Sequence, residues 1–363
     1  MLGAITGDII GSDYEWRPEK DISKVEVFKD GSMYTDDTVA SIGISNALLA
    51  RADSFKEISE ILQNTCLPYL HVKGGFGIDF CHWILGHKDG PYNSWGNGSA
   101  MRISAVGWLS DSIEDAHHKA KAVTEITHNH PEGIRGAQAV AVAIRMLLEG
   151  YDRSEVKAAI EEKYLYDLDR SVESIRETYS FEVSCQRTVP EAFCCFLQSE
   201  SYEDCVKKAI SLGGDADTLA CIAGGLYEAY NGADAAPYIA KGMAYLPPEL
   251  RTQVSAFEDA CRNKVFEKSD YRDLPVYVPP AKPDPVLAMQ DEERSKYMEE
   301  IEKIDRLMKA PAPRSKISFC ERIRRAIKSV LRCSSILKMN CRRLLMPWLK
   351  RKWRSYSALS VSK

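Results

Sequence analysis

Residues 213–230 read Gly-Gly-Asp-Ala-Asp-Thr-Leu-Ala-Cys-Ile-Ala-Gly-Gly-Leu-Tyr-Glu-Ala-Tyr, and this stretch decides the fold. An acidic cluster opens it, and an apolar segment with helical spacing follows. Four small residues lie inside that helix, at Ala220, Ala223, Gly224 and Gly225. Because a glycine costs about 1 kcal/mol relative to alanine in a helix interior, we expect another backbone to pack closely against this helix at the centre of a helical bundle. Such a buried position would hold the two aspartates of the cluster rigidly.

A second acidic cluster lies far upstream, where residues 35–38 read Thr-Asp-Asp-Thr before another apolar, helix-like stretch. Each cluster supplies two carboxylates together with one or two hydroxyls, the oxygen ligands that Mg²⁺, Mn²⁺ or Ca²⁺ prefer. Asp and Thr also cap helices, and one cluster alone would fit that role. A cap needs one carboxylate, however, and both clusters carry two. The pair therefore predicts a centre for two divalent cations, assembled from opposite halves of the chain.

Helical spacing dominates the first 265 residues. Residues 36–51 carry a broad apolar face after the upstream acidic cluster. The same spacing recurs at 55–67, 113–126, 134–149, 154–163, 190–198, 203–212 and 217–230. Strand-like alternation is confined to one short segment, from Val25 to Phe28. We therefore predict an all-α fold, a compact multi-helix assembly with functional loops at the helix starts.

Length and composition are those of a globular enzyme, with 363 residues of which 45% are hydrophobic. The chain has no run of 18 apolar residues that would predict a membrane span, and its first residues lack the basic region of a signal peptide. The 11 cysteines are odd in number and show no C-x-x-C spacing, so we expect reduced, mostly buried thiols. We expect a cytoplasmic monomer.

Charge and proline content divide the chain. Residues 311–363 hold 15 basic residues and one acidic residue, a net charge of +14, whereas residues 1–310 carry −18. Prolines become frequent after residue 265, so we predict a catalytic domain at 1–265, a Pro-rich linker with a charged helix at 266–312, and a basic amphipathic tail at 313–363. The tail is typical of a solvated extension. Its spacing also suits an anionic membrane surface, a nucleic acid or the acidic body of the same chain.

Glycines at positions 3, 7 and 11 form a stripe along a predicted N-terminal helix, which indicates tight contact with another helix. Glu15 follows directly, between Tyr14 and Trp16. A carboxylate held between aromatic side chains suits a catalytic acid, a base or a ribose clamp. A surface glutamate would have the same sequence.

Residues 91–102 read Pro-Tyr-Asn-Ser-Trp-Gly-Asn-Gly-Ser-Ala-Met-Arg. Small residues let backbone N–H groups approach a ligand, and the helix start that follows favours an anion. An ordinary connecting loop has a similar composition. Further along, His128 and His130 lie two residues apart, but no third zinc ligand occurs at a usual spacing. We expect His128 to line a pocket and His130 to be structural.

Five motifs in this order resemble the ADP-ribosylglycohydrolases, a family that includes the dinitrogenase reductase-activating glycohydrolase and the eukaryotic ADP-ribosylhydrolases. The resemblance covers roughly residues 1–265. The segments that carry it are 7–11 with Glu15, 35–38, 96–102, 127–128 and 213–218.

The resemblance implies an orthogonal all-α domain with two Mg²⁺ or Mn²⁺ ions. Such a domain cleaves the N- or O-glycosidic bond between ADP-ribose and a modified protein side chain, and arginine is the expected acceptor. The implied metal ligands are Thr35, Asp36, Asp37, Asp215, Asp217 and Thr218. The implied catalytic residues are Glu15 over the distal ribose, Asp36 and Asp217. The implied ligand contacts are Trp95, Gly96, Asn97, Gly98, Ser99 and His128.

Elementary electrostatics agrees with this function, because two divalent ions would offset the negative charge of residues 1–310 where an anionic pyrophosphate binds, and would activate a water. Two alternatives remain open. A catalytically silent, crystallin-like relative is disfavoured because the four aspartates and Glu15 are all present. A dimetal phosphohydrolase would cut the pyrophosphate and release AMP instead of ADP-ribose. Asp79, in a glycine-rich segment, is a candidate further ligand.

Overall fold

The structure, a computed structural model, describes residues 1–72, 75–87 and 90–281, and the regular elements in these ranges are helices. The α-helices are α1 Leu2–Gly11, α2 Asp36–Leu49, α3 Phe55–Cys66, α4 Ile78–Ile84, α5 Ser104–Leu109, α6 Ile113–Glu125, α7 Pro131–Leu148, α8 Arg153–Tyr164, α9 Val172–Thr178, α10 Cys185–Leu197, α11 Tyr202–Ser211, α12 Ala216–Tyr230, α13 Gly232–Met243 and α14 Pro248–Cys261. Short 3₁₀ turns lie at Ile22–Lys24, Leu67–Tyr69 and Asn97–Ser99. The predicted all-α class is confirmed.

Helix α12 lies at the centre of the described helices, and α1 packs directly against it. Every residue of α12 from Ala216 to Ala229 is buried. The glycine stripe of α1 makes this contact possible, because a methyl group added at Gly11 would lie 2.6 Å from the carbonyl oxygen of Ala216. At the other end, one added at Gly3 would lie 2.6 Å from the carbonyl oxygen of Gly224. The predicted close backbone packing is confirmed, and it fixes the helix start that carries the second acidic cluster.

Two local predictions were wrong. Val25 to Phe28 form no strand: Phe28 adopts a left-handed conformation with φ of 56°, and the Glu26 main chain pairs with the Tyr14 hydroxyl instead of a neighbouring strand. Helix α10 begins at Cys185, five residues before the predicted start, and carries Pro190 inside it. Proline is common at a helix start, which made residue 190 look like the beginning.

The first compact unit runs from Met1 to Lys282, and the chain after α14 remains attached to the helices. Ser269 binds the Glu149 carboxylate through its backbone N–H at 2.6 Å, and the hydroxyl of Tyr277 donates to Glu132 at 2.7 Å. The described residues end at 281. The predicted basic tail and most of the predicted linker therefore lie outside the described residues. Within the described part of the chain, no helix combines the length and apolarity needed to cross a bilayer.

Candidate functional site

Three buried carboxylates converge where α12 begins. Oxygens of Glu15, Asp215 and Asp217 all lie within 4.8 Å of one another, which is close enough to share one metal ion. Glu15 follows the end of α1, Asp215 precedes α12, and Asp217 lies in the first turn of α12. Gly214 has a φ of +72°, and an added methyl group there would lie 2.8 Å from the carbonyl oxygen of Ser180. The glycine pair before Asp215 therefore allows a turn that a larger residue would block.

The upstream acidic cluster joins this group. The hydroxyl of Thr218 lies 3.0 and 3.3 Å from the two carboxylate oxygens of Asp37, and both residues are buried. Burial and then the charges of Asp8, Asp36 and Asp215 raise the pKa of Asp37. Burial and then the charges of Glu15, Asp215 and Asp37 raise the pKa of Asp217. Carboxylates from both halves of the chain thus interact in one buried centre.

Asp8 holds the upstream cluster, residues 35–38, in place through hydrogen bonds. Its carboxylate accepts the backbone N–H of Thr35 at 3.0 Å, the hydroxyl of Thr35 at 2.6 Å and the backbone N–H of Thr38 at 3.2 Å. The hydroxyl of Thr38 donates to the same group. Burial raises the pKa of Asp8 to about 6, and these hydrogen bonds oppose that rise. Asp8 lies within the motif at residues 7–11, and its only signal in the sequence is a carboxylate on an otherwise small and mostly apolar helix, which does not predict this role.

The chemistry of these groups fits hard divalent cations, since the converging side-chain donors are oxygens. Thr35 directs its hydroxyl proton toward Asp8 and accepts the backbone N–H of Asp37 at 3.3 Å, which leaves one lone pair of its oxygen for a cation. Asp36 is half-buried at the start of α2, next to Asp37. Asp79 is exposed on α4. Two groups of three carboxylates converge within the described ranges, Glu15 with Asp215 and Asp217, and Glu161 with Asp167 and Asp169, and Asp79 belongs to neither.

The loop at residues 91–102, called the glycine-rich loop from here on, is joined to the carboxylates by hydrogen bonds. The side-chain amide of Asn97 donates to Asp215 at 2.7 Å and to the hydroxyl of Thr188 at 3.2 Å. Ser99 donates to the carbonyl oxygen of Gly133 at 2.8 Å and holds the loop against α7. Asn97 and Ser99, both predicted as ligand contacts, therefore support the loop and the cluster. Trp95, Gly96 and Gly98 are half-exposed.

His128 lies beside this loop. Its Nε2 atom faces Gly98, because a methyl group added there would lie 3.1 Å from it. The rings of Tyr92 and His128 have centroids 5.8 Å apart. His130, in contrast, caps α7 and accepts the backbone N–H of Glu132 at 3.1 Å. The prediction that His130 is structural is confirmed.

A segment between α9 and α10 completes the surroundings of the cluster, and sequence analysis missed it. The rings of Trp16 and Phe181 stack with centroids 6.1 Å apart. Glu182 is buried and accepts the backbone N–H groups of Val183 and Ser184 at 2.9 and 2.8 Å. The loop sequence contains no motif that would have indicated this position.

An all-α fold with buried carboxylates gathered at two helix starts, beside a glycine-rich loop, defines a protein with a candidate centre for divalent cations. The family model of the ADP-ribosylglycohydrolases matches residues 1–269, and the chain belongs to this family. The family predicted from the motifs is thereby confirmed, together with the enzyme class, a hydrolase of ADP-ribosyl linkages.

Relatives with names of the same kind support this assignment. The human ADP-ribosylhydrolase ARH3 is 24% identical over 311 residues, which cover 65% of this chain and 85% of the human protein. The ADP-ribosyl-[dinitrogen reductase] glycohydrolase of Rhodospirillum rubrum is 24% identical over 291 residues, covering 70% and 93%. A solved structure described as an ADP-ribosylglycohydrolase-related protein complex superposes with a TM-score of 0.57 at 20% identity, covering 72% of this chain and 97% of that one. This last likeness concerns the fold alone.

Proposed function

We propose that the chain is a binuclear Mg²⁺-dependent hydrolase, with Mn²⁺ as a substitute, that cleaves the glycosidic bond between ADP-ribose and a modified protein side chain. Arginine is the expected acceptor, and a cytoplasmic monomer is the expected form. The residues that would hold the two ions are Thr35, Asp36, Asp37, Asp215, Asp217 and Thr218. Glu15 adds a further carboxylate within 4.8 Å of two of these.

The observation that carries the proposal is the contact of Thr218 with Asp37, which brings carboxylates from both acidic clusters into one buried centre. Burying several like charges together is costly unless a partner of opposite charge joins them. Divalent cations would remove that cost, and the raised pKa values of Asp37 and Asp217 have the direction expected of carboxylates that lack such a partner.

When bound, the ions supply the positive charge and the acidified water that hydrolysis at neutral pH requires. The chain's own groups prepare the rest of the centre. Asn97 fixes the orientation of Asp215 through its 2.7 Å hydrogen bond. Gly98 is half-exposed, so its backbone can approach a diphosphate. The carboxylate of Glu15 is close enough to Asp215 and Asp217 to accept a proton there or to serve as another ligand.

Two alternatives make different predictions. A silent relative would bind ADP-ribose without releasing it from a protein, and the complete set of four aspartates with Glu15 argues against this. A phosphohydrolase would cut the pyrophosphate instead of the glycosidic bond. Mass spectrometry separates the last case, since its product is AMP and that of the proposed reaction is ADP-ribose.

The test uses peptides that carry ADP-ribose on arginine or on serine, with Mg²⁺ or with EDTA. We expect release of free ADP-ribose only with Mg²⁺, and faster from the arginine peptide. Asp36→Ala should abolish release, whereas the matched control Asp169→Ala, at an exposed aspartate elsewhere on the surface, should not change it. No release from either peptide by the Mg²⁺-loaded wild type would overturn the proposal.

A further inference from the structure

A buried arginine reaches the loop histidine through a threonine. The guanidinium of Arg102 is 1% exposed, and its Nη2 group donates to the hydroxyl oxygen of Thr127 at 2.7 Å. The same oxygen lies 2.8 Å from Nδ1 of His128. Thr127 is fully buried, so water does not compete for these hydrogen bonds. The three side chains form a continuous chain of polar contacts that ends at the glycine-rich loop.

The chemistry of Arg102 fixes the direction of the first hydrogen bond in this chain and favours one direction for the second. A guanidinium can only donate, so the hydroxyl oxygen of Thr127 is an acceptor toward Arg102. Donation from a cation polarises the hydroxyl and makes its own proton a better donor. The acceptor 2.8 Å away on the other side is Nδ1 of His128. With the proton on Nδ1 instead, the hydroxyl oxygen would accept from both Arg102 and His128, and its own proton would turn to the Tyr92 phenol, which is within hydrogen-bond reach.

We propose that Arg102 acts through Thr127 to hold His128 in the tautomer that carries its proton on Nε2, so that His128 presents a neutral N–H donor to the Gly96–Gly98 turn. Arg102 and Thr127 are positioning residues in this arrangement. For the ligand, the inference rests on the proposed function: the group that accepts the Nε2 proton is an oxygen of the diphosphate or the adjoining ribose of ADP-ribose.

Two features of the surroundings support this geometry. Nε2 faces Gly98, where a methyl group would lie 3.1 Å from it, so any larger residue at this position would cover the donor. Burial and then the positive charge of Arg102 lower the pKa of His128, which keeps the imidazole neutral at physiological pH. A neutral histidine has two tautomers with opposite donor positions, and a hydroxyl proton donated by Thr127 to Nδ1 selects the one that carries its proton on Nε2.

The experiment uses the full chain with ¹⁵N-labelled histidine, and the His128→Gln spectrum assigns the signals of His128 among the seven histidines. We expect the wild type to show a protonated Nε2 and an unprotonated Nδ1. Thr127→Val removes the hydroxyl with little change of volume, and it should redistribute the two tautomers and raise the Kd for ADP-ribose about tenfold. Thr127→Ser keeps a hydroxyl and should restore both properties.

Thr124→Val is the matched control. Thr124 is equally buried and lies one turn away, and among the described residues its hydroxyl makes no hydrogen bond. This change should leave the tautomer and the Kd as in the wild type. Arg102→Lys keeps a positive donor, and its effect should be smaller than that of Arg102→Met, provided that circular dichroism shows both variants folded.

The spectrum tests the positioning role of Arg102 and Thr127. The affinity for ADP-ribose tests the ligand assignment. A wild-type His128 with its proton on Nδ1, or a Thr127→Val variant with an unchanged tautomer, would overturn the positioning role whatever the enzyme hydrolyses. An Nε2-protonated His128 in a protein that does not bind ADP-ribose would support the positioning role and overturn the ligand assignment and the proposed function together.

Discussion

The hydroxyl of Thr218 lies 3.0 Å from a carboxylate oxygen of Asp37, although 181 residues separate the two in the chain. Each residue lies in the first turn of a buried helix, and the two helix starts face the same point. This relationship turns two ordinary helix beginnings into one acidic centre, and it places the proposed chemistry at the meeting of the two halves of the domain.

Asp217→Asn should separate metal binding from folding. The amide is nearly the same size as the carboxylate but carries no charge, so it is cheaper to bury in the absence of metal. We expect the metal-free variant to unfold at a higher temperature than the metal-free wild type. Saturating Mg²⁺ at 100 times its Kd should stabilise the wild type by about 2.7 kcal/mol and the variant by much less.

Activity of this variant should fall by more than about 100-fold, because even groups that only orient metal ligands contribute 10–100-fold. Thermal unfolding with Mg²⁺ and with EDTA checks the stability, and ADP-ribose release checks the activity. Equal stabilisation of both proteins by Mg²⁺ would argue that Asp217 is not a ligand.

Asp8→Asn should weaken metal binding without touching the ions. The carboxylate accepts two backbone N–H groups and two hydroxyls from the Thr35 and Thr38 positions, and an amide cannot accept all four through one oxygen. We expect an affinity for Mg²⁺ that is about 10–100-fold lower and a free energy of unfolding lower by about 2 kcal/mol. Isothermal titration with Mg²⁺ and urea unfolding measure the two effects, and an unchanged affinity would remove Asp8 from the support of the site.

Asn97→Ala should reduce activity because Asp215 loses its 2.7 Å hydrogen bond and can rotate. The expected loss in kcat/KM is about 10–100-fold, and a higher Mg²⁺ concentration should recover part of it. Asn46→Ala is the control, since Asn46 also donates to two side chains, Thr65 and Gln253, but lies away from the cluster. A similar loss in both variants would point to general destabilisation instead.

Gly7→Ala should destabilise the domain through the α1–α12 contact. The added methyl group would overlap the main chain of Ala220, which cannot move without shifting α12. We expect the free energy of unfolding to fall by about 3 kcal/mol. Gly232→Ala, in the first turn of α13, meets no atom within 4 Å and should change stability by less than about 1 kcal/mol. Urea unfolding of both variants checks the difference.

Much of the fold and part of the site could be predicted because they depend on patterns formed by residues that are close together in the sequence. Helical spacing predicted α2, α6 and α12, and the small residues of α12 predicted that another helix packs closely against it. The two acidic clusters were visible because each keeps its carboxylates within four residues. These patterns report short-range chemistry, which is what a sequence displays directly.

The remaining features depend on contacts between distant segments. Asp8 appears as one aspartate on an apolar helix, and only the folded chain brings Thr35 and Thr38 to it. Asn97 was predicted as a ligand contact, and only the folded chain shows that its amide also binds Asp215, 118 residues away. Apolar and polar side chains alternate from Val25 to Phe28 as in a strand, but a strand also needs a neighbouring strand to pair with. Here the Tyr14 hydroxyl forms hydrogen bonds with the backbone N–H and carbonyl oxygen of Glu26 instead.

The close seam between α1 and α12 sets an order of events during synthesis. The first helix leaves the ribosome about two hundred residues before its partner, so its glycine stripe has nothing to pack against until Tyr230 has been added. Contacts of such sequence separation form late and leave apolar surface exposed in the meantime. The buried acidic centre, whose groups come from both ends of this interval, therefore cannot form before α12 has been made, and chaperones have a long interval in which to act on this protein.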